Sequence, residues 1–339
     1  MTSHPTTMKA WLYNHATNGL EKNLTLNPTA RAPPALSKNQ ILIRVLSTAI
    51  NPADYKVPAM PIVNRILISK PASPCLDFAG EVTGTGANVT EFTAGQIVFG
   101  TLGMPTQFGP LGEYVVTVAE NLCLVPEGVD VDHAATVGVA GQTSWQAMAP
   151  YVKPDAGEKV LIVGGSGGCG IFAIQIAKAL GCFVTTTCST RNVEFVKGLG
   201  ADEVIDYTKE DVVGVLKAKG QVYSHVVDHI GEPADLYRES DKFMLPGKVY
   251  AQVGANWMPL FVVRLLRPAF LGGGRTRYVP MFWKSTKEDL KKVGELIQEG
   301  KVKVQLDSVF AFEDAPKAFE KLREGRARGK IVVRGAERN

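Results

Sequence analysis

The run Gly164-Gly165-Ser166-Gly167-Gly168-Cys169-Gly170 constrains this chain more than any other feature, because of what flanks it. It directly follows the apolar segment Lys159 to Val163 (KVLIV) and directly precedes the apolar stretch Ile171 to Leu180. A G-x-G-x-x-G spacing means little alone. Between a buried strand and a helix it is the turn of a dinucleotide-binding unit. Gly165 permits the tight turn, Gly167 lets the backbone approach a pyrophosphate, and Gly170 lets helix and strand pack closely. The helix N-terminus presents N–H groups and the positive end of its dipole to the phosphates. Ser166, Gly168 and Cys169 lie in the same cradle, so Gly165 to Gly170 are all expected to hold the cofactor.

The second strand indicates which dinucleotide. A site selective for NAD places Asp or Glu roughly 20 residues on, to accept a hydrogen bond from the ribose 2′-hydroxyl. Here that stretch is Val184-Thr185-Thr186-Thr187-Cys188, without an acid. The following loop, Ser189-Thr190-Arg191-Asn192, offers hydroxyl, guanidinium and amide donors. Such donors suit a 2′-phosphate, and Arg suits it geometrically. Ser189, Arg191 and Asn192 are therefore expected at the phosphate, with Tyr207 in reach after the third strand. The expected cofactor is NADPH.

Around the turn the chain alternates strand and helix. Phe183 to Thr187, Glu203 to Ile205, His225 to Asp228 and Lys248 to Val253 read as strands, and Asn192 to Leu199 as a helix. That alternation predicts a doubly wound parallel sheet. Before it the chain reads differently. Gln40 to Ile50, Phe78 to Val89, Gln96 to Gly100 and Glu113 to Val118 are short strand candidates broken by glycine and proline, as in an irregular barrel or sandwich. Val131 to Tyr151 reads as a helix with Asp132 as its cap. After the alternation, Lys287 to Gln298 and Ala315 to Leu322 have helical apolar spacing, and Lys330 to Val333 is a last strand. The expected class is α/β, with a β-rich domain over residues 1–129, a dinucleotide domain over 130–272, and a return to the first domain over 273–339.

Composition excludes several alternatives. Apolar residues make up 45% and charged residues 21%, the balance of a globular protein. The net charge of +4 is mild, and the densest basic stretch, Arg323 to Arg334, is interrupted, so no nucleic-acid surface is expected. No apolar run is long enough to span a membrane, and Met1 to Lys9 has no apolar targeting core. The five cysteines form no CxxC pair, which argues for a reducing compartment and a cytoplasmic setting.

The cysteines are scattered, and His4, His15, His133, His225 and His229 show no ligand spacing, so no metal is expected. His133 reads as a helix-start residue, and His229 as a residue of the nicotinamide cleft. Without a Lewis acid, carbonyl reduction needs another electrophilic aid. An activated C=C bond needs less, because its charge develops on an enolate oxygen that one or two donors can stabilise.

Several motifs then occur in order: Asn51-Pro52-Ala53-Asp54-Tyr55-Lys56, Asp77-Phe78-Ala79-Gly80-Glu81-Val82, Ala140-Gly141-Gln142-Thr143-Ser144-Trp145, the glycine turn, Leu199 to Tyr207, and Gly329-Lys330-Ile331-Val332-Val333. Together they resemble the zinc-free, quinone oxidoreductase-like branch of the medium-chain dehydrogenase/reductase superfamily. Cys188 to Lys197 is most similar to plant enone reductases, the chloroplast envelope quinone oxidoreductase homologue and fungal trans-acting enoyl reductases of polyketide pathways. The resemblance implies a GroES-like catalytic domain with a Rossmann domain inserted, a cleft between them, and Asn51 to Lys56 facing the nicotinamide ribose and an apolar enone or quinone. In that setting Lys56 pairs with an enolate oxygen or holds the ribose hydroxyls, Tyr55 donates a hydroxyl, and Asp54 orients Lys56. Thr143, Val253, Gly254 and Lys330 are carried over as cofactor contacts. Relatives often have Gly where this chain has Cys75. Residues 58–70 read as a lid, and residues 257–271 as a core or dimer segment, a substrate wall or a membrane-surface contact. A homodimer through sheet edges fits the pattern. Two rival readings remain at this stage: a trans-acting enoyl reductase, and a non-catalytic relative that binds cofactor or RNA or serves a structural role.

Overall fold

The structure is a computed structural model that describes residues 4–60, 66, 68–255, 260–267 and 273–337. The chain divides into two compact units. One comprises Met1–Gln142, Lys284–Gln298 and Val304–Asn339; the other comprises Thr143–Trp283 and Glu299–Lys303.

The second unit is built on six parallel strands in the order Glu203–Asp206, Phe183–Cys188, Lys159–Val163, Tyr223–Asp228, Met244–Gln252 and Arg277–Pro280. Numbered along the chain this is 3-2-1-4-5-6, the Rossmann order. Lys159–Val163 reads as a continuous apolar run because it is central and covered on both faces, so only its first residue is exposed. Helices Gly170–Ala179, Val193–Gly198 and Val212–Lys219 belong to the crossovers. Leu161, Val163, Ile205, Leu216, Val226 and Tyr250 share one core cluster. The strand order reverses between Lys159–Val163 and Tyr223–Asp228, whose carboxyl ends therefore define the ligand crevice of this unit.

The first unit carries a seven-stranded sheet. Its organiser is Gln40–Ile50, long enough to pair with three partners: Tyr114–Val118 and Asp77–Thr85 along its length, and Lys330–Arg334 at its end. Ile97–Thr101, Leu122–Leu124 and Leu306–Phe310 extend this sheet. Thr7–Leu12 and Thr25–Arg31 form a separate ribbon. Trp11, Tyr13, Ile50, Cys75, Phe312 and Phe319 form the core cluster that joins both chain ends.

Three expectations need correction. The helix expected over Val131 to Tyr151 is broken into pieces. Asp130, not Asp132, caps its first turn, by accepting from the N–H groups of Asp132 and His133. Its middle widens into a π turn at Val137–Gly141, where Gly138 lies against Asp77 and the Gly100 carbonyl. The boundaries also move. Residues 130–142 belong to the first unit, and the parallel sheet continues past 272, because Arg277–Pro280 adds a sixth strand to Met244–Gln252. The short segment Glu299–Lys303 also joins the Rossmann unit, where Gln175 in the Gly170–Ala179 helix bonds the Lys303 backbone in both directions.

Candidate active site

In the Rossmann unit the glycine turn is tied to the second strand. Gly164 N–H donates to Thr187 Oγ1 and Gly165 N–H to the Thr187 carbonyl, both at 3.1 Å. At Gly165 a Cβ would run into Thr186 and Ile174. At Gly170 it would sit 2.6 Å from the Gly165 carbonyl carbon. These two positions therefore require glycine for packing. Gly167 has room for a Cβ, whose nearest neighbour would be 3.6 Å away. Its glycine fits a second demand, close approach by a phosphate. Ser166, Gly167, Gly168 and Cys169 are half-buried at the start of the Gly170–Ala179 helix.

The loop after the second strand is stitched to that turn. Asn192 is 4% exposed, and its Nδ2 donates to Ser166 Oγ at 3.0 Å and Ser189 Oγ at 3.4 Å. The structure thus gathers Ser166, Ser189 and Asn192 at one point, while Arg191 and Tyr207 are exposed. Asp206, an acid missed in the sequence, ends the third strand. Its carboxylate accepts from the Thr190 hydroxyl and from both the N–H and hydroxyl of Thr208. Its burial and two threonine partners could have been sought only once the loop and the strand end were known to meet. The arrangement suits a nicotinamide dinucleotide: a turn with glycine required at Gly165 and Gly170, a helix N-terminus, and a hydroxyl and amide cluster beside it.

At the crevice, Val253 and Gly254 N–H groups donate to the Asp228 carbonyl at 2.8 and 3.3 Å. Thr143 is buried near the start of the Gln142–Met148 helix. His229 Nδ1 bonds the Val163 carbonyl at 3.1 Å, so its proton lies there. Burial pushes this imidazole down to about 4, which keeps it neutral. Its Nε2, also buried, is an acceptor with no partner among the described residues. Of the apolar 257–271 segment, residues 260–267 are described. Leu260–Leu266 is a helix anchored by Arg264, which reaches Asp228 at 3.4 Å and Gln252 Oε1 at 2.8 Å; all three side chains are buried. The rest of that segment, and much of the expected lid over 58–70, lies outside the described residues.

In the catalytic unit the candidate residues gather around Asn51. Its backbone N–H donates to Asp54 Oδ2 at 2.6 Å, its Nδ2 to Asp77 Oδ2 at 2.8 Å, and its Oδ1 accepts from Lys330 Nζ at 2.5 Å. Lys330 also donates to the Ile50 carbonyl and is 3% exposed. The side chain carried over as a cofactor contact is therefore engaged inside the catalytic unit. Asp54 does not orient Lys56. Its carboxyl turns back to cap the Pro52–Lys56 helix, and Lys56 makes no ion pair or hydrogen bond among the described residues. Lys56 is half-buried. Tyr55 packs against the core cluster of Phe312 and Phe319, and burial raises its phenol above its ordinary value while Arg323 pulls it down. Its ring is engaged in packing, which leaves Lys56 as the cation of this helix. Burial, then the charge of Asp77, pushes Asp54 up to about 8; burial raises Asp77 to about 6 against the pull of Lys330. Among the described residues no group of His, Cys, Asp and Glu is arranged to hold a metal ion.

These features define a nicotinamide-dependent oxidoreductase built from a GroES-like and a Rossmann domain. Two family models match in that order: the alcohol dehydrogenase GroES-like domain over residues 37–127 and zinc-binding dehydrogenase over residues 199–333. The trans-enoyl reductase pgmF of Aspergillus terreus is 42% identical over 97% of this chain and 97% of its own. The chloroplast envelope quinone oxidoreductase homolog of Arabidopsis thaliana is 33% identical over 88% and 91%. Among solved structures, the quinone oxidoreductase from Coxiella burnetii superposes with a TM-score of 0.83 at 30% identity, covering 97% of this chain and 99% of that one. The chain belongs to the quinone oxidoreductase-like branch of the medium-chain dehydrogenase/reductase superfamily.

Proposed function

We propose that this oxidoreductase uses NADPH to reduce the C=C bond of an apolar α,β-unsaturated carbonyl, or a quinone. The observation that carries the cofactor half is the Ser166–Ser189–Asn192 cluster beside an acid-free second strand. When bound, the nicotinamide supplies the hydride. The chain's own residues then have separate tasks. The turn Gly165–Gly170 holds the pyrophosphate. Ser189, Arg191, Asn192 and Tyr207 receive the 2′-phosphate. Thr143, Val253, Gly254 and the neutral His229 line the nicotinamide side. Lys56 sets a positive charge beside the oxygen on which enolate charge develops, where one well-placed donor is worth about 10²–10³ in rate.

Similarity to pgmF favours a second form of the same reaction, on an acyl chain held by a carrier domain. A homodimer formed through the open edge strand Arg277–Pro280 and a cytoplasmic setting complete the reading; none of the five cysteines forms a disulfide. The test is a substrate screen with NADPH and NADH side by side: free conjugated enones, quinones and an enoyl pantetheine thioester. The expected result is turnover with NADPH at least about tenfold better than with NADH, insensitive to chelator, as one charge-assisted contact to the 2′-phosphate implies. Equal use of both cofactors, or oxidation of saturated alcohols alone, would refute it.

A further inference from the structure

Reduction of a C=C bond needs a proton as well as a hydride, and Lys56 is not placed by any contact that would make it the donor. A small cavity in the catalytic unit points elsewhere. It has a volume of about 10 Å³ and is lined by Tyr13, Asp54, Ser73 and Cys75 among others. That is room for about one water, which needs two or more polar partners to reside there. Two buried atoms on its lining residues have no partner among the described residues: Asp54 Oδ1 and Ser73 Oγ. Asp54 is 4% exposed and Ser73 1%. Leaving such groups bare costs free energy, so a polar guest is the expected occupant.

Charge counting says what Asp54 presents to that guest. Two buried carboxyls, Asp54 and Asp77, share the Asn51 cluster with one ammonium, Lys330. The ammonium is spent on Asn51 Oδ1 and the Ile50 carbonyl. Each keeps one oxygen, Asp54 Oδ1 and Asp77 Oδ1, without a partner among the described residues; Asp77 is drawn down by Lys330 and by hydrogen bonds from Val139, Asn51 and Thr101, whereas the hydrogen bonds that draw Asp54 down come from Asn51 alone. Two adjacent buried carboxyls with one counter-charge do not both ionise, and the one whose charged form has fewer hydrogen bonds keeps its proton. The other titratable groups facing the cavity, Tyr13 and Cys75, are also held in their protonated forms by burial. The wall is therefore a set of proton donors. Cys75 has φ +82, in the left-handed region that non-glycine residues avoid, and such strain gathers at functional sites.

We infer that Asp54, as the neutral acid, is the proton donor that completes the reduction, acting through a water held between Asp54 Oδ1 and Ser73 Oγ. This rests on the proposed C=C reduction. After hydride addition at the β-carbon, the water gives a proton to the α-carbon and takes the proton of Asp54. The Asp54 O–H bond breaks, an α-C–H bond forms, and the carboxylate is reprotonated from solvent. Both electrons come with the hydride, so no other reactant is needed.

The test compares the whole wild-type chain with Asp54→Asn and Asp54→Glu. Asparagine keeps an oxygen for the Asn51 N–H but has no proton to give; glutamate restores one. We expect kcat of the wild type to fall as pH rises through about 8. In Asp54→Asn, kcat should drop by about 10²-fold and lose that alkaline limb, with NADPH affinity unchanged; Asp54→Glu should recover part of both. Lys70, lowered by burial to about 8 and stacked on the Tyr13 ring, is present in all three and so cannot produce the difference. Wild-type kcat and an intact alkaline limb in Asp54→Asn would overturn the proposal. A second readout is independent of substrate. Infrared difference spectra at pH 7 should show a protonated carboxyl band in the wild type that Asp54→Asn lacks and that fades above about pH 8. Its absence overturns the proposal even if enones are turned over. Its presence without enone turnover would place the failure in the substrate reading.

Discussion

Replacing Gly170 by alanine should weaken the fold and the cofactor together. The added Cβ would lie 2.6 Å from the Gly165 carbonyl carbon and 2.7 Å from its Cα, and against the Gly164 carbonyl oxygen. Carbon atoms rest at about 3.5 Å, so the start of the Gly170–Ala179 helix must move away from the turn by about 0.9 Å. Both neighbours are backbone, and neither can rotate aside. Overpacking of this kind costs about 1–3 kcal/mol, and a domain of this size loses about 2–4 °C in Tm per kcal/mol. The same movement withdraws the helix N-terminus from the pyrophosphate. Losing one charge-assisted hydrogen bond is worth about 1.5–3 kcal/mol, at least a tenfold weaker Kd for NADPH. Thermal unfolding and fluorescence titration with NADPH measure the two effects. Gly167→Ala is the control. Its Cβ would meet nothing closer than 3.6 Å, so Tm should hold while the methyl obstructs the approaching phosphate and Kd rises. An unchanged Tm and Kd in Gly170→Ala, or an equal loss of Tm in both variants, would refute the reasoning.

Two further outcomes follow from buried or partnerless charges. Arg264→Leu leaves Asp228, fully buried, with Tyr250 and backbone N–H groups but no counter-charge, and should cost about 3–5 kcal/mol in urea unfolding; Arg264→Leu combined with Asp228→Asn should recover much of that, and a neutral single variant would show the pair to be unimportant. Lys56→Ala removes a half-buried cation without a structural bond among the described residues, so unfolding and NADPH affinity should stay as they are while kcat with an enone falls about 10²-fold; an unchanged kcat would make Lys56 a solvated side chain.

The Rossmann half was readable because its signals are local. A turn, the strand before it and the helix after it are contiguous, and the apolar run Lys159–Val163 is the strand found, residue for residue. In the other half the strand Gln40–Ile50 and the helix Lys287–Gln298 were also read as found, but several elements escaped, for physical reasons. Thr7–Leu12 and Thr25–Arg31 form a two-stranded ribbon; the first buries Met8, Ala10 and Trp11, but the second is mostly polar and buries only Ala30, so its alternation is hard to read. Leu306–Phe310 is an edge strand, half-buried apart from the exposed Val309, with no buried apolar face to betray it. Residues 131–151 look like one helix because apolar spacing cannot foretell that Gly138 must meet Asp77 from a distant strand. Asp54 failed in the same way. In sequence it precedes Lys56 at a spacing that suggests a pair, but the N-cap demand of its own helix is nearer and takes its carboxyl.

The Asn51 cluster shows why the chain ends had to meet before the site had a meaning. Asn51 comes from the end of the long organising strand, Asp77 from its antiparallel neighbour and Lys330 from the last strand, and the three are brought together by strand registry: Ile331 pairs with Ile50, and Ala49 with Asp77. One ammonium is thereby set against two carboxyls, an arrangement that costs stability and has no packing virtue that apolar residues would not supply better. A fold that keeps such a cluster, beside a cysteine at positive φ, holds a surplus acid in place. Under the reduction we propose, a proton kept on Asp54 is the reactant that this unit supplies.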